Sequence, residues 1–282
     1  MINKIKFDDF LLFDGAMGTM LEKYGLGRGE LPESYNISHP EIIEEIHRQY
    51  FQAGSDVITT NTFGANSYKL KNSPYSVEQI VKSAMKIARK VAVDRLVALD
   101  IGPIGQLMEP YGDLSFDNAY KAFAQQIKVG SEEGADIIII ETMMDINEAK
   151  AAILAAKENS DLPIICTMSY QSNGRTLMGI DPITMVNAFQ SLGVDALGVN
   201  CSFGPNEIIP IVSEILKYSR VPVIVQPNAG LPKLKNGETI FDVEPLEFAK
   251  YAKVMAEMGV TIFGGCCGTT SEYIKAVKNE MT

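Results

Sequence analysis

The sequence predicts a (β/α)8 barrel, the TIM-barrel fold of the α/β class. Eight short apolar segments recur along the 282 residues. Most are continuously apolar, as expected of parallel strands that are buried on both faces. Amphipathic helical patterns lie between them, and several end in a glycine. Eight strand-then-helix units favour closure into a barrel, although an open, doubly wound sheet has the same periodicity. We expect residues 1–282 to form a single domain.

The predicted strands are followed alternately by long and short loops. In chain order they are Leu11–Asp14, Asp56–Asn61, Arg95–Ile101, Asp136–Glu141, Pro163–Ser169, Ala196–Cys201, Pro222–Pro227 and Val260–Gly264. The longest loops follow the odd-numbered strands and comprise Gly25–Pro40, Gly102–Asp117, Gln171–Pro182 and Pro227–Pro245. Loops at the carboxyl ends of barrel strands wall the substrate pocket. The first ten residues precede the first strand and are predicted to plug the opposite mouth.

The helix after the first strand has the clearest pattern. Apolar residues form one stripe over Pro40–Ala53, and Gly54 predicts its end. Ser38, three residues before a glutamate, predicts a capping box at its start. A similar pattern covers Asp145–Glu158, and Ser271 predicts the N-cap of the last helix.

The composition excludes several classes of partner. With 25 Lys and Arg against 35 Asp and Glu, the formal net charge is −10, which disfavours binding to nucleic acid or to an anionic membrane. No run of roughly 18 apolar residues predicts a transmembrane helix. The start of the chain has no long apolar core and carries acids, so it does not resemble a signal peptide and we expect a cytoplasmic protein. In that reducing compartment, the four cysteines are better read as metal ligands, catalytic thiols or core residues than as disulfides.

Three of the four cysteines lie at predicted strand exits. Cys201 ends the sixth strand, and Cys266 and Cys267 follow the eighth, within a glycine-rich run. The carboxyl ends of barrel strands meet at one face, so these thiols are predicted to converge. Thiolates select Zn²⁺, and three protein ligands with an open fourth position are typical of catalytic zinc. Cys166 lies inside the fifth strand and is predicted to be an ordinary core residue.

The net charge of a zinc ion bound by three thiolates limits the reactions that it can support. Zn²⁺ with three thiolates carries one net negative charge, which makes it a weak Lewis acid for activating water. It is better suited to holding a fourth sulfur as a nucleophilic thiolate. The predicted chemistry is therefore alkylation of a thiol substrate. A zinc-binding or metal-free scaffold without catalysis is the alternative from a different class.

Six motifs together resemble the homocysteine S-methyltransferase family over essentially the whole chain. They are Phe13–Thr19, Thr60–Gly64, Glu141–Thr142, Gly198–Cys201, Pro227–Gly230 and Gly264–Thr269. The resemblance implies a (β/α)8 barrel with zinc on Cys201, Cys266 and Cys267. It also implies that Asp14 and Glu141 hold the amino-acid end of homocysteine.

Further residues are candidates for the pocket. A lone carboxylate at the catalytic face is costly unless it meets a cation, and the homocysteine ammonium would supply one. Asn61 and Thr62, at the end of the second strand, are predicted to line the pocket. The amide of Asn228 is a candidate fourth zinc ligand without substrate, and Asn200 is a candidate to support the ligands.

The methyl donor is the least determined feature. The family uses betaine, sulfonium donors such as S-methylmethionine or S-adenosylmethionine, or a methylated corrinoid. Betaine calls for an aromatic cage, and the chain has no tryptophan. The segment Gly102–Phe116 resembles the homocysteine domain of cobalamin-dependent methionine synthases. The resemblance thus implies methylcobalamin carried by a separate corrinoid protein or module, with a sulfonium donor or another thiol acceptor as alternatives. Loops Gly102–Asp117 and Gln171–Pro182 are candidate docking surfaces.

Overall fold

The computed structural model describes Phe7 and residues 9–27, 29–235 and 238–282. Its strands are β1 (Leu11–Leu12), β2 (Val57–Thr59), β3 (Leu96–Ile101), β4 (Ile137–Met143), β5 (Ile164–Met168), β6 (Ala196–Asn200), β7 (Val223–Gln226), β8 (Lys233–Lys235), β9 (Glu238–Ile240) and β10 (Ile262–Phe263). Its α-helices are α1 (Gly18–Lys23), α2 (Tyr35–Ser38), α3 (Pro40–Ala53), α4 (Val77–Val91), α5 (Phe116–Glu132), α6 (Ile146–Asn159), α7 (Pro182–Leu192), α8 (Ile209–Tyr218), α9 (Pro245–Met258) and α10 (Ser271–Met281). Within these residues, no helix has the length and apolar character needed to span a bilayer.

The parallel sheet closes into a barrel. Eight strands pair in the order β1-β10-β7-β6-β5-β4-β3-β2, and every pairing between them is parallel. An isolated parallel bridge between Phe13 and Val57 joins the two ends of this order. The (β/α)8 prediction is therefore confirmed over the open sheet. Strands β8 and β9 form a separate antiparallel hairpin in the loop after β7.

A repeated Gly-x-Asp sequence motif links three pairs of neighbouring strands. An aspartate precedes each of β2, β4 and β6 and forms two hydrogen bonds with a single residue of the preceding strand. Its backbone N–H donates to the carbonyl of that residue, and its carboxylate accepts the N–H of the same residue. The pairs are Asp56 with Leu12, Asp136 with Val97, and Asp195 with Ile164, with hydrogen bonds of 2.6–2.9 Å. Each clamp satisfies one backbone N–H of the preceding strand.

The side chains inside the barrel change from apolar to polar along its axis. An apolar cluster fills the end where the strands begin, and it comprises Phe7, Phe13, Val57, Ala98, Ile137, Ile139, Ile165, Ala196, Ile224 and Ile262. Phe7 in this cluster supports the predicted plug, while residues 1–6 and 8 lie outside the described residues. Because alternate strand residues share a face, the next inward positions are Asp100, Glu141 and Gln226, which line a cavity at the opposite end.

The helix predicted over Pro40–Ala53 is observed with those bounds, and Gly54 ends it in the left-handed conformation at φ 103°. The predicted capping box is wrong. Ser38 is the last residue of α2, and its hydroxyl donates to the Ser34 carbonyl at 3.1 Å. The residue before α3 is instead His39, whose side chain makes no capping bond. Ser38 does not cap α3 because its hydroxyl is hydrogen-bonded within the preceding helix.

The helix predicted over Asp145–Glu158 is observed one residue later at each end, whereas the N-cap predicted for the last helix is wrong. The α6 helix begins one residue after Asp145, whose carboxylate accepts the Asn147 N–H at 2.7 Å. The N-cap of α10 is Thr270 and not Ser271, because the Thr270 hydroxyl accepts the Glu272 N–H at 3.3 Å. Thr270 and Ser271 both carry a hydroxyl that can cap a helix, and backbone geometry decides between them.

Candidate functional site

The three predicted cysteines converge at the carboxyl-terminal mouth of the barrel. Cys201 follows β6, and Cys266 and Cys267 follow β10, with β7 between these strands. All three Sγ atoms lie within 4.8 Å of one another, and those of Cys201 and Cys267 are 3.4 Å apart. Tetrahedral zinc with Zn–S bonds of about 2.3 Å requires sulfurs roughly 3.8 Å apart. The cluster therefore fits one zinc ion, whereas Cys166 is buried in β5 outside it.

Ionisation of the thiols is limited without a cation. Hydrogen bonds from Cys201 and then Cys266 lower the pKa of Cys267 to about 3. The bonds with Cys201 and Cys267, together with burial, raise the pKa of Cys266 well above its usual range. The cluster by itself thus favours one thiolate stabilised by neutral thiols. Three thiolates require a metal ion, which deprotonates its ligands on binding.

Two residues at the site hold unusual backbone conformations. Among the described residues other than glycine, only Thr142 and Cys201 have positive φ, at 61° and 47°. Such conformations cost of order 1–3 kcal/mol each and persist only where the surroundings enforce them. For Cys201, the bend turns its side chain from the end of β6 towards the other thiols. Thr142 is adjacent to Glu141.

Asn200 connects the strained threonine to the cysteines. Its Oδ1 accepts the Thr142 N–H at 2.9 Å and the Thr167 hydroxyl at 2.8 Å. Its Nδ2 donates to the Thr142 hydroxyl at 2.7 Å and lies 4.0 Å from the Cys266 sulfur. The fully buried amide thus uses both ends to support the loop that carries Glu141 and the thiol cluster.

We expect Asn200→Ala to weaken metal binding by about 10–100-fold, the usual effect of losing a group that orients metal ligands. The variant removes the acceptor of the Thr167 hydroxyl and leaves the Thr142 N–H only the long bond of 3.4 Å to that hydroxyl, which also lowers stability by about 1–3 kcal/mol. Competition with a chromophoric chelator measures the affinity. Asn147→Ala, at a mostly exposed helix position, is the control. Unchanged affinity in Asn200→Ala would show that the amide does not support the cluster.

A cavity of about 330 Å³ opens beside the thiols. Its lining includes the three cysteines and the predicted residues Asp14, Glu141 and Asn61. Burial raises the pKa of Asp14 to about 7. Burial, followed by the charges of Asp14 and Cys267, raises the pKa of Glu141 to about 8. The described lining contains no Lys, Arg or His, so no side-chain cation within it offsets the burial of these acids, and a bound cation would favour their ionised forms.

The other predicted pocket residues are placed differently. Asn61 lines the cavity, but its amide N–H groups donate to the Pro32 carbonyl at 2.8 Å and to Asn36 at 3.3 Å. Thr62 lies outside the lining, and its hydroxyl donates to the Asp100 carbonyl at 2.8 Å. Asn228 also lies outside the lining, and its buried Oδ1 has no hydrogen-bond partner among the described residues. Its role as a fourth metal ligand stays a prediction.

Three cavity residues were missed in the sequence. Asp100 and Gln226 point inward from β3 and β7, and Glu33 reaches in from a short 3-10 helix, Pro32–Ser34. Asp100 had a usable signal, because it is the one acid within an otherwise apolar strand. Glu33 had none, since its position depends on the Gly64 N–H that its carboxylate accepts at 2.5 Å.

Stability of the metal-free, ligand-free protein should include a contribution from Asp14 that falls as pH rises. Asp14 has a pKa of 3.8 in the reference state and about 7 in the fold, so the folded state binds the extra proton. The contribution is present below about pH 4 and is lost as pH rises through 7, amounting to roughly 4 kcal/mol. Chemical denaturation at pH 6 and 8 tests this. Relative to wild type, Asp14→Asn should lose less stability between them, whereas equal losses would contradict the assignment.

Comparison with known proteins identifies the family. The family model described as Homocysteine S-methyltransferase matches residues 11–281. The chain belongs to the homocysteine S-methyltransferase family. Within it, methionine synthases of Mycobacterium leprae and Mycobacterium tuberculosis are each 33% identical to this chain over 285 residues. Those alignments cover 94% of this chain and 24% of each relative, so the chain spans about a quarter of their length.

Solved structures support the fold of this homocysteine S-methyltransferase family member. The metallated form of the homocysteine methyltransferase MmuM from Escherichia coli aligns with a TM-score of 0.81 at 23% identity, covering 96% of both chains. The apo form of the same protein aligns with a TM-score of 0.73 at 22% identity, again over 96% of both chains. These similarities independently support the barrel.

Proposed function

We propose that this family member transfers a methyl group to the thiol of L-homocysteine to give methionine, as a zinc-dependent enzyme. The observation that carries the proposal is the opening of a three-thiol cluster onto a cavity walled by buried acids. The sulfur ligands suit a thiol substrate, and the acids suit the ammonium at its other end. Homocysteine has these two groups in one small molecule. The free state of all four cysteines fits a reducing cytoplasm.

In this proposal, the cysteines act on the thiol end of homocysteine and the acids on its ammonium end. Cys201, Cys266 and Cys267 would hold the zinc, which supplies the positive charge that keeps the substrate sulfur as a nucleophilic thiolate. Asp14 and Glu141 would bind the ammonium and so orient the sulfur towards the cysteines. Asn228, next to this mouth, would occupy the fourth metal position before substrate binds.

Charge matching explains why the acids are buried. Placing the ammonium between Asp14 and Glu141 favours their ionised forms and offsets the cost of their burial. A thiol without the ammonium gains none of this energy. The site therefore uses the amino-acid end to select its substrate and the thiol cluster to activate it.

For the methyl donor, we propose methylcobalamin on a separate corrinoid protein or module. The similarity to much longer methionine synthases and the resemblance of Gly102–Phe116 support this donor. Exposed apolar side chains in the two candidate docking loops, Leu107, Tyr111 and Leu177, also fit a macromolecular donor.

A sulfonium donor is the second candidate, and one observation favours it. The cavity wall carries four acids, of which Glu33 and Asp100 were not expected. Two positive charges, one on the ammonium of homocysteine and one on a sulfonium, would match this wall better than one.

A donor panel separates these possibilities. Zinc-loaded protein is mixed with homocysteine and either methylcobalamin, S-methylmethionine or S-adenosylmethionine, and methionine is quantified. We expect methionine with methylcobalamin, accompanied by the spectral change of the corrinoid. Methionine from sulfonium donors alone would contradict the corrinoid proposal. Failure with every donor, together with turnover of a different thiol, would contradict homocysteine as acceptor.

A further inference from the structure

Asp100 lines the cavity, and one oxygen of its carboxyl group is buried without a hydrogen-bond partner among the described residues. Its backbone is held firmly, because its N–H donates to the Thr60 hydroxyl at 3.1 Å and its carbonyl accepts from Thr62 and Gln126 at 2.8 and 3.0 Å. Its side chain is 6% exposed, and Oδ1 has no hydrogen-bond partner among the described residues. A buried, fixed carboxyl without a donor is costly unless a ligand supplies one.

The charged groups around Asp100 do not supply that donor. Its charged neighbours include the acids Asp14, Glu33 and Glu141 and one cation, Lys69. The Lys69 ammonium lies over the Phe63 ring at 4.8 Å and forms no ion pair within 4.0 Å in the described structure. Burial, followed by the Glu141 charge, raises the pKa of Asp100 well above its usual range. A cation bound on the cavity side would favour the ionised form of Asp100.

We infer that Asp100 is a third acid of the subsite for the substrate ammonium and determines specificity for aminothiols. This rests on the proposed function, because it assigns the residue to the same pocket. A primary ammonium has three N–H donors, and three of the four acids that line the cavity lie at the ends of β1, β3 and β4, namely Asp14, Asp100 and Glu141. Two acids alone would leave one donor to water or to a neutral acceptor.

Neutral acceptors in the same layer fit this assignment. The Thr59 hydroxyl and the Gln226 carbonyl oxygen are also buried without partners in the described structure, and both residues line the cavity. Together with Asp100 they place three unpartnered oxygen atoms, each able to accept a hydrogen bond, in residues that line the cavity. Such a set of acceptors recognises a group that only donates, and an ammonium is that group.

The test compares two thiols that differ only in the amino group. Homocysteine and 4-mercaptobutanoate are assayed with wild-type protein and Asp100→Asn, which keeps the side-chain size and removes the charge. We expect kcat/KM for homocysteine to fall by about 10–100-fold, as for loss of a charged hydrogen bond, mainly through KM. The value for 4-mercaptobutanoate should stay within about twofold or rise.

Glu148→Gln is the matched control. Glu148 is also a buried acid with a pKa raised to about 7, but it lies outside the cavity lining and accepts the Ile104 N–H at 2.7 Å. Glutamine retains that acceptor, so the ratio of the two thiols should not change. Equal losses for both thiols in Asp100→Asn, or no loss for homocysteine, would overturn the inference.

Calorimetric binding separates this inference from the proposed function. Binding of the two thiols to zinc-loaded wild type and Asp100→Asn needs no methyl donor. A loss of affinity for homocysteine alone supports Asp100 even if no methyl transfer is found, which would contradict only the proposed function. Equal affinities of the two proteins for homocysteine would reject Asp100 whatever the turnover.

Discussion

Cys267→Ala is expected to lose its zinc and its methyl transfer together. Cys267 is one of three protein ligands, and its sulfur lies 3.4 Å from that of Cys201. Loss of a group that merely supports ligands lowers metal affinity by about 10–100-fold, so loss of a ligand should exceed about 100-fold. Without the metal, a thiol substrate loses the charge that keeps it ionised at neutral pH. Elemental analysis and a methionine assay on the same preparation measure both effects.

Cys166→Ala separates this effect from general thiol loss. Cys166 is fully buried in β5 and lies outside the cluster. Its variant should keep one zinc per chain and wild-type turnover, with a modest loss of stability. A Cys267→Ala protein that retains full turnover without metal would contradict zinc-dependent activation of the substrate.

Gly198→Ala is expected to disrupt the barrel beneath the site. Gly198 pairs with Ile224 between β6 and β7, and a Cβ at this position would lie 1.8 Å from the Ile224 carbonyl oxygen. Overpacking costs about 1–3 kcal/mol and occasionally more. Because the obstacle here is the backbone of a neighbouring strand, we expect a loss of at least about 3 kcal/mol in the free energy of unfolding, measured by chemical denaturation.

Gly18→Ala is the control for stability. An added Cβ at Gly18 meets no atom within 4 Å, and alanine is the better helix former. Its stability should be unchanged or higher. Wild-type stability in Gly198→Ala would show that β6 and β7 do not pack as closely as observed.

The convergence of Cys201, Cys266 and Cys267 could be predicted because of one property of parallel barrels, whereas Asp14 and Glu141 were expected from the family resemblance. The strands all end at the same face, so residues at strand exits converge even when they are far apart in sequence. Apolar strands bounded by glycine mark those exits clearly. The fold and the metal cluster both follow from this reasoning.

Other parts of the site depend on contacts that the sequence pattern does not encode. The bridge between Phe13 and Val57 decides closure, but it joins two segments with no distinguishing composition. The contacts of Asn200 with Thr142 and Thr167 link three strand ends through side-chain geometry. Thr62 looked like a pocket residue from its position, yet its hydroxyl is engaged by the backbone of Asp100. Strand registers and side-chain directions determine these outcomes.

Zinc K-edge X-ray absorption with and without homocysteine tests the central claim most directly. The proposed function predicts three sulfur ligands and one lighter ligand in the free protein, with four sulfurs after homocysteine is added. The new Zn–S distance should be about 2.3 Å, as for the protein ligands. Three sulfurs and an unchanged light-atom ligand at saturating homocysteine would show that the cluster does not bind the substrate thiol, and would contradict the account.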